Sequence, residues 1–244
     1  MDKDQVRWTE IEHLPEWDEE FYDVYTAKKF GKWVMLKTLK PEYKDNAQMQ
    51  SMIEKEFDVR YNLAHPNIVM INDFEDVPDI GLCIITDDVY GDSLRKLLKE
   101  GKLTDKHLRQ LRYQLVDALE YIESNHLAHH PLRPENIIFT ENIGNLKLID
   151  VGFEQRKSLS KGDTSEDIYH YGLVLKEVID TCDVNDPTLR RVAERCLNED
   201  PHRRYSDIHS LRLALANSNS SRLYLTIITF LAIMVLILLW LAMH

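Results

Sequence analysis

A lysine and a glutamate in the first quarter of this chain sit where charge must be matched. Trp33 to Leu39 alternates as a strand, with Trp33, Met35, Lys37 and Leu39 on one face and Val34, Leu36 and Thr38 on the other. Lys37 therefore shares a face with three apolar residues. Gln48 to Leu63 carries a helical stripe of Met49, Met52, Ile53, Phe57 and Tyr61, and Glu56 falls inside it. A cation and a carboxylate turned toward apolar surroundings each need a partner, and these two are natural mates. Two side chains snorkelling at a rim fit the local pattern equally well.

A second group of polar residues lies near the middle. His129-His130-Pro131-Leu132-Arg133-Pro134-Glu135-Asn136 reads as a loop held open by two prolines. His126, His129 and His130 invite a metal reading, but no acid or cysteine cluster stands with them, so no metal is expected there. Cys83, Cys182 and Cys196 are far apart, lack metal-ligand spacing and suit a reduced cytosolic setting.

The elements that must position these residues follow from periodicity. Val69 to Phe74 and Leu82 to Thr86 read as strands, Ser93 to Glu100 as a helix. A long helix from Thr104 to Ser124 places Leu108, Leu111, Leu115, Leu119 and Ile122 on one face. Ile137 to Phe139 and Leu146 to Ile149 flank a turn at Asn142-Ile143-Gly144-Asn145 and can pair as a hairpin. Asp167 to Asp180 is apolar nearly all round and belongs in the middle of a domain. Helices at Thr188 to Leu197 and Ser206 to Ala216 complete the series. Strands come first and helices later, which predicts an α+β fold with two unlike lobes.

In their order these segments resemble the protein kinase family, in particular a bacterial-type Ser/Thr kinase domain. Val34-Met35-Leu36-Lys37 resembles the strand bearing the nucleotide lysine, and Glu56, ahead of His65-Pro66-Asn67-Ile68-Val69, resembles the helix glutamate that pairs with it. Thr86-Asp87-Asp88-Val89-Tyr90-Gly91 resembles the hinge, His129 to Asn136 the catalytic loop, and Asp150-Val151-Gly152 the metal-binding triplet. Asp167-Ile168-Tyr169-His170-Tyr171-Gly172 resembles the start of the central helix, and Asp200-Pro201-His202-Arg203-Arg204 the turn before the last helix. The resemblance spans roughly residues 20–216. It implies a bilobal protein-kinase-like fold with a mostly β N-lobe and a mostly α C-lobe. It also implies an ATP site in which Lys37 holds phosphate, Glu56 orients Lys37, the hinge residues Asp87 and Val89 meet the nucleotide, and Asn136 and Asp150 hold magnesium.

Three departures weigh against phosphotransfer. Pro131 stands where the family has its catalytic aspartate and offers no proton acceptor, whereas general-base help is worth about 10²–10⁴ in rate. Adjacent residues usually point apart, so His130 is no ready substitute. The three loop glycines fall at Trp17, Glu19 and Tyr22, and the same stretch carries Glu16, Asp18 and Glu20, which would repel a triphosphate. Residues 153–166 leave no room for the family's activation segment with its Ala-Pro-Glu motif, and the peptide-docking helix before Pro187 is missing. Arg204, which in the family pairs with that motif's glutamate, must find another acid or solvent. The expectation is a pseudokinase acting as a regulatory or scaffolding module. ATP binding is left open, since four residues favour it and the acidic loop opposes it. An active atypical Ser/Thr kinase is the alternative.

Composition adds the setting. Acidic residues outnumber basic ones 41 to 30 and the net charge is −11, which argues against nucleic acid as a partner. Leu223 to Met243 contains no charged residue and as a helix would reach roughly 31 Å, the thickness of a bilayer's apolar core. A single-pass, tail-anchored membrane protein is expected, with its kinase-like domain facing the cytoplasm and binding protein partners. The lone Arg222 before the run agrees with the positive-inside rule. The chain divides into an acidic segment 1–19, a kinase-like domain 20–216, a polar linker 217–222 and a transmembrane helix 223–243.

Overall fold

A computed structural model describes residues 7–128, 132–141, 143–152, 154–216, 227–231 and 233–234. The first lobe is an antiparallel sheet with one helix. Strands β1 (Trp8–His13), β2 (Tyr22–Lys29), β3 (Lys32–Leu39), β4 (Ile71–Val77) and β5 (Gly81–Asp87) stand in the order β1-β2-β3-β5-β4. Phe30 and Gly31, both at positive φ (51° and 82°), close β2 onto β3 with Lys29 opposite Lys32. Such two-residue turns match the strands' right-handed twist. Helix α1 (Ala47–Arg60) starts where the Asn46 side chain accepts from the backbone N–H of Gln48 and Met49.

Alternation along β3 decides which side chains meet. Val34 and Leu36 join Trp8, Ala27, Val77, Cys83 and Ile85 in a cluster on one face. Leu39, on the other face, packs with Tyr22, Ile53, Ile71 and Ile84, which brings α1 against the sheet. Lys37 lies on that second face, so the strand's period of two already aims it at α1.

The second lobe is helical around a small sheet. Strand β6 (Gly91–Ser93) leads into α2 (Leu94–Glu100), then α3 (Asp105–Ser124) and β7 (Leu127–Ala128). The expected hairpin forms: β8 (Ile137–Thr140) pairs antiparallel with β9 (Leu146–Leu148), and β8 also pairs with β6. Strand β10 (Glu154–Gln155) pairs with β7, and α4 (Lys161–Cys182) and α5 (Pro187–Cys196) follow. A further helix covers residues 208–216. Ile168, Tyr171, Val174, Leu175, Val178 and Ile179 of α4 are buried in one large core, as the all-round apolar pattern requires. The lobes are stitched beside Asn67: its amide Nδ2 donates to the Leu146 carbonyl at 2.8 Å, and the Leu148 N–H donates to its backbone carbonyl at 2.8 Å.

Two boundaries differ from the sequence expectation. The sequence predicts a separate acidic segment over 1–19, yet Trp8–His13 is the edge strand of the sheet, with Trp8 buried in its core. The cause is the run of charges around Trp8, which hides a strand that needs only one buried side chain. The central helix begins at Lys161 instead of Asp167, because Ser160 and Asp163 form a reciprocal capping box that lets a polar first turn stay helical. Pro131 lies outside the described residues, as does most of 223–243. Among the described residues no helix is long and apolar enough to cross a membrane.

Candidate functional site

Lys37 and Glu56 meet in the cleft. Their Nζ and Oε1 atoms are 3.2 Å apart, with β3 supplying the lysine and α1 the glutamate. Glu56 is 1% exposed, so an ion pair is required there and not merely allowed. It has a second cation, Arg60, one turn further along α1, whose Nη1 lies 2.5 Å from the same Oε1. Burial alone would raise the Glu56 carboxyl, but Lys37 and Arg60 outweigh it and the group ends below the usual glutamate range. For Lys37, burial pulls down while Glu56 and Glu19 pull up, and the ammonium ends above its ordinary value.

Asn136 and Asp150 also come together. Asn136 ends a 3-10 turn that begins at Pro134, and its Nδ2 lies 3.5 Å from Asp150 Oδ2. The other Asp150 oxygen accepts from the Gly152 N–H at 3.0 Å, a turn that Gly152 permits at φ 65°. Arg60 links this segment to α1 by donating from Nη2 to the Ile149 carbonyl at 3.0 Å. The Asp150 carboxylate and the Asn136 side-chain carbonyl oxygen are the kind of ligand atoms that magnesium takes.

The phosphate side of the cleft is different. The stretch between β1 and β2 folds as a tight loop: the Leu14 N–H donates to the Val24 carbonyl, the Glu19 N–H to the Tyr22 carbonyl, and the Val24 N–H to Asp18 Oδ1 at 2.9 Å. This shape points the Glu19 carboxylate at Lys37, with Oε2 2.9 Å from Nζ. The Tyr22 ring lies 4.2 Å from the same nitrogen, a cation–π contact. Tyr22 is 4% exposed and its hydroxyl has no hydrogen-bond partner among the described residues. Burial first, then the nearby Glu56, pushes that phenol up to about 12. Two positions where a loop of bare backbone would face phosphate thus carry side chains that already surround the lysine. The residues present do not fit a triphosphate in this arrangement.

The hinge candidates lie at the end of β5. The Asp87 carboxylate is held by Lys32 at 2.8 Å and by Asn72 at 3.0 Å, and its backbone carbonyl accepts from the Thr86 hydroxyl at 3.2 Å. Its N–H donates to the Met70 carbonyl at 3.4 Å, so the side chain and both backbone groups of Asp87 are engaged within the domain. Val89 is half-buried in the connection between β5 and β6.

The sequence profile of the protein kinase domain family matches residues 20–169. The chain belongs to the protein kinase domain family. It is 31% identical over 155 residues to the serine/threonine-protein kinase PknD of Mycobacterium tuberculosis, a match covering 61% of this chain and 23% of PknD. It is 29% identical over 182 residues to a probable serine/threonine-protein kinase of Clostridium perfringens, covering 64% and 26%. Over 107 residues it is 35% identical to serine/threonine-protein kinase 36 of Pongo abelii, covering 43% and 8%. The matched region is thus about a quarter or less of these relatives' length. As a family, protein kinase domains use ATP with magnesium.

Within this kinase domain Arg204 is half-buried and, among the described residues, turns to carbonyls, a hydroxyl and a ring in place of the acid it pairs with in the family. Its Nη1 donates to the Ser165 carbonyl at 3.0 Å and lies 3.3 Å from the Ser165 hydroxyl, its Nε donates to the Asn198 carbonyl at 2.9 Å, and its guanidinium lies 4.6 Å from the centre of the Tyr169 ring. The extra first turn of α4 delivers Ser165 to this position. Sequence reasoning also missed Arg60 and the role of Glu19. The Glu56/Arg60 spacing of four on a helix was the available signal for the first. Another group, His13 at the end of β1, Asp18 in the loop and Asp23 in β2, brings its ligand atoms within 4.8 Å of one another, but Asp18 is already committed to the Val24 amide.

Proposed function

We propose that this chain is a membrane-tethered pseudokinase, a kinase domain used as a regulatory or scaffolding module that works through protein contacts. The observation that carries this reading is the Glu19–Lys37 ion pair: the lysine expected to hold phosphate is already paired inside the domain. Pro131 at the catalytic aspartate position supports it, as does the short stretch between Gly152 and the start of α4. The uncharged run 223–243 supports a single-pass anchor, and Arg222 supports a cytoplasmic domain. Proteins are then the partners beside the membrane itself, and the net charge of −11 speaks against nucleic acid.

A second reading, an active atypical Ser/Thr kinase, is favoured by the intact Lys37–Glu56 pair and by the Asn136–Asp150 donor set. The test is phosphate transfer from γ-labelled ATP with magnesium by the full-length chain, to itself and to generic acceptors. The pseudokinase reading expects none. Transfer that disappears in Lys37→Met or Asp150→Asn overturns it. Membrane attachment is checked by fractionation: the full-length chain sediments with membranes, and a chain ending at Ser221 does not.

A further inference from the structure

A continuous line of polar contacts crosses the cleft. Glu19 from the β1–β2 loop reaches Lys37 on β3, Lys37 reaches Glu56 on α1, Glu56 reaches Arg60, and Arg60 reaches the Ile149 carbonyl. The Ile149 N–H in turn donates to the Asn136 carbonyl at 3.0 Å. Loop, sheet, helix and the second lobe are joined in one series. Two cations, Lys37 and Arg60, offset two carboxylates, Glu19 and Glu56.

We propose that Glu19 is a built-in anionic stand-in for phosphate, a latch that holds the cleft assembled and keeps polyphosphates away from Lys37. This rests on the pseudokinase reading above and adds the device that keeps the site shut. The loop is shaped for the role. Asp18 ties it to the Val24 amide and lies 3.1 Å from His13 Nε2, while the Glu19 N–H is fixed to the Tyr22 carbonyl. Tyr22 then covers the lysine from another side. A polyphosphate arriving at Lys37 would meet the Glu19 carboxylate at close range, and like charges so placed cost several-fold to many-fold in affinity. Glu19 itself is half-exposed, so its pairing can be exchanged without unfolding the lobe.

The test uses the full-length protein with ATP and, separately, inorganic pyrophosphate, each with and without magnesium. Thermal unfolding and equilibrium dialysis are both read, so that binding is measured directly even where melting is not two-state. Wild type is expected to show neither a shift nor retention at millimolar ligand. Glu19→Gln is expected to bind both probes about tenfold or more tightly than wild type. Adding Lys37→Met to Glu19→Gln should abolish the gain, and Glu19→Asp should stay closer to wild type than to Glu19→Gln. A folded Glu19→Gln that binds no better than wild type overturns the latch, as does wild type binding ATP as tightly as the variant. Phosphate transfer by wild type is the separate result that overturns the pseudokinase reading. Without such transfer, a silent Glu19→Gln removes the latch alone.

Discussion

Arg60 and Glu56 form a buried ion pair one helical turn apart, 2.5 Å between Nη1 and Oε1, at 5% and 1% exposure. Arg60 also spans to the Ile149 carbonyl, so one guanidinium serves both helix α1 and the segment leading to Asp150. Truncating one member of a buried pair strands the other. Arg60→Met should therefore cost about 3 kcal/mol, near the low end of the usual range because Lys37 still faces Glu56. Urea unfolding followed by circular dichroism measures this. A change below about 0.5 kcal/mol, the range of ordinary surface substitutions, would mean the pair does not hold the lobe.

The Glu56 carboxyl predicts an acid limb. Its folded value lies below the unfolded one, so the folded state favours the ionised form. That contribution is complete above the ordinary glutamate value of about 4.3 and is lost as pH falls through the lower folded value. Melting curves of wild type and Glu56→Gln between pH 3 and 7 separate this group from the other carboxylates. The difference between the two proteins should be flat above pH 5 and shrink below about pH 4. A difference that grows on acidification contradicts the assignment.

Gly172 of α4 is set by packing. A Cβ there would lie 2.6 Å from the Cys196 Cβ and 3.1 Å from the Leu197 Cγ. Alanine gains up to about 1 kcal/mol of helix propensity over glycine, but overpacking a tight helix contact costs about 1–3 kcal/mol. Gly172→Ala should be net destabilising by about 1 kcal/mol, with α4 and α5 pushed apart. Denaturant titration gives the sign, and hydrogen exchange locates the loosening at α5.

Arg204 fastens the N-terminal part of α4 to the turn before the last helix. It donates to two carbonyls and lies against the Tyr169 ring, a fork geometry that lysine cannot reproduce. Arg204→Lys should lose about 1.5–3 kcal/mol and expose the first turn of α4 to hydrogen exchange. Retention of full protection at Ser165 in that variant would show that the capping box alone holds the turn.

Part of this site was legible in the residues because it depends on local period. The alternation of Trp33 to Leu39 and the stripe around Glu56 put a cation and an anion on facing surfaces, and the β8–β9 hairpin follows from two apolar runs about one turn. The start of α4 was legible too, in the spacing of Ser160 and Asp163, but a polar first turn masks it when only apolar periodicity is followed. Trp8–His13 has a single buried residue, too few for alternation to reveal a strand.

The amino-acid sequence by itself determined the family and the faces that carry Lys37 and Glu56, since these follow from motif order and from periods of two and 3.6; that the two side chains meet was decided by the tertiary structure. Which other groups reach that pair was decided only by the tertiary structure. Glu19 meets Lys37 because Asp18 and Tyr22 bend the loop back, Arg60 meets Ile149 across 89 positions, and Arg204 meets Ser165 across 39. Such contacts depend on where the chain returns in space, and side-chain charges act over a few ångströms of space however far apart they stand in sequence.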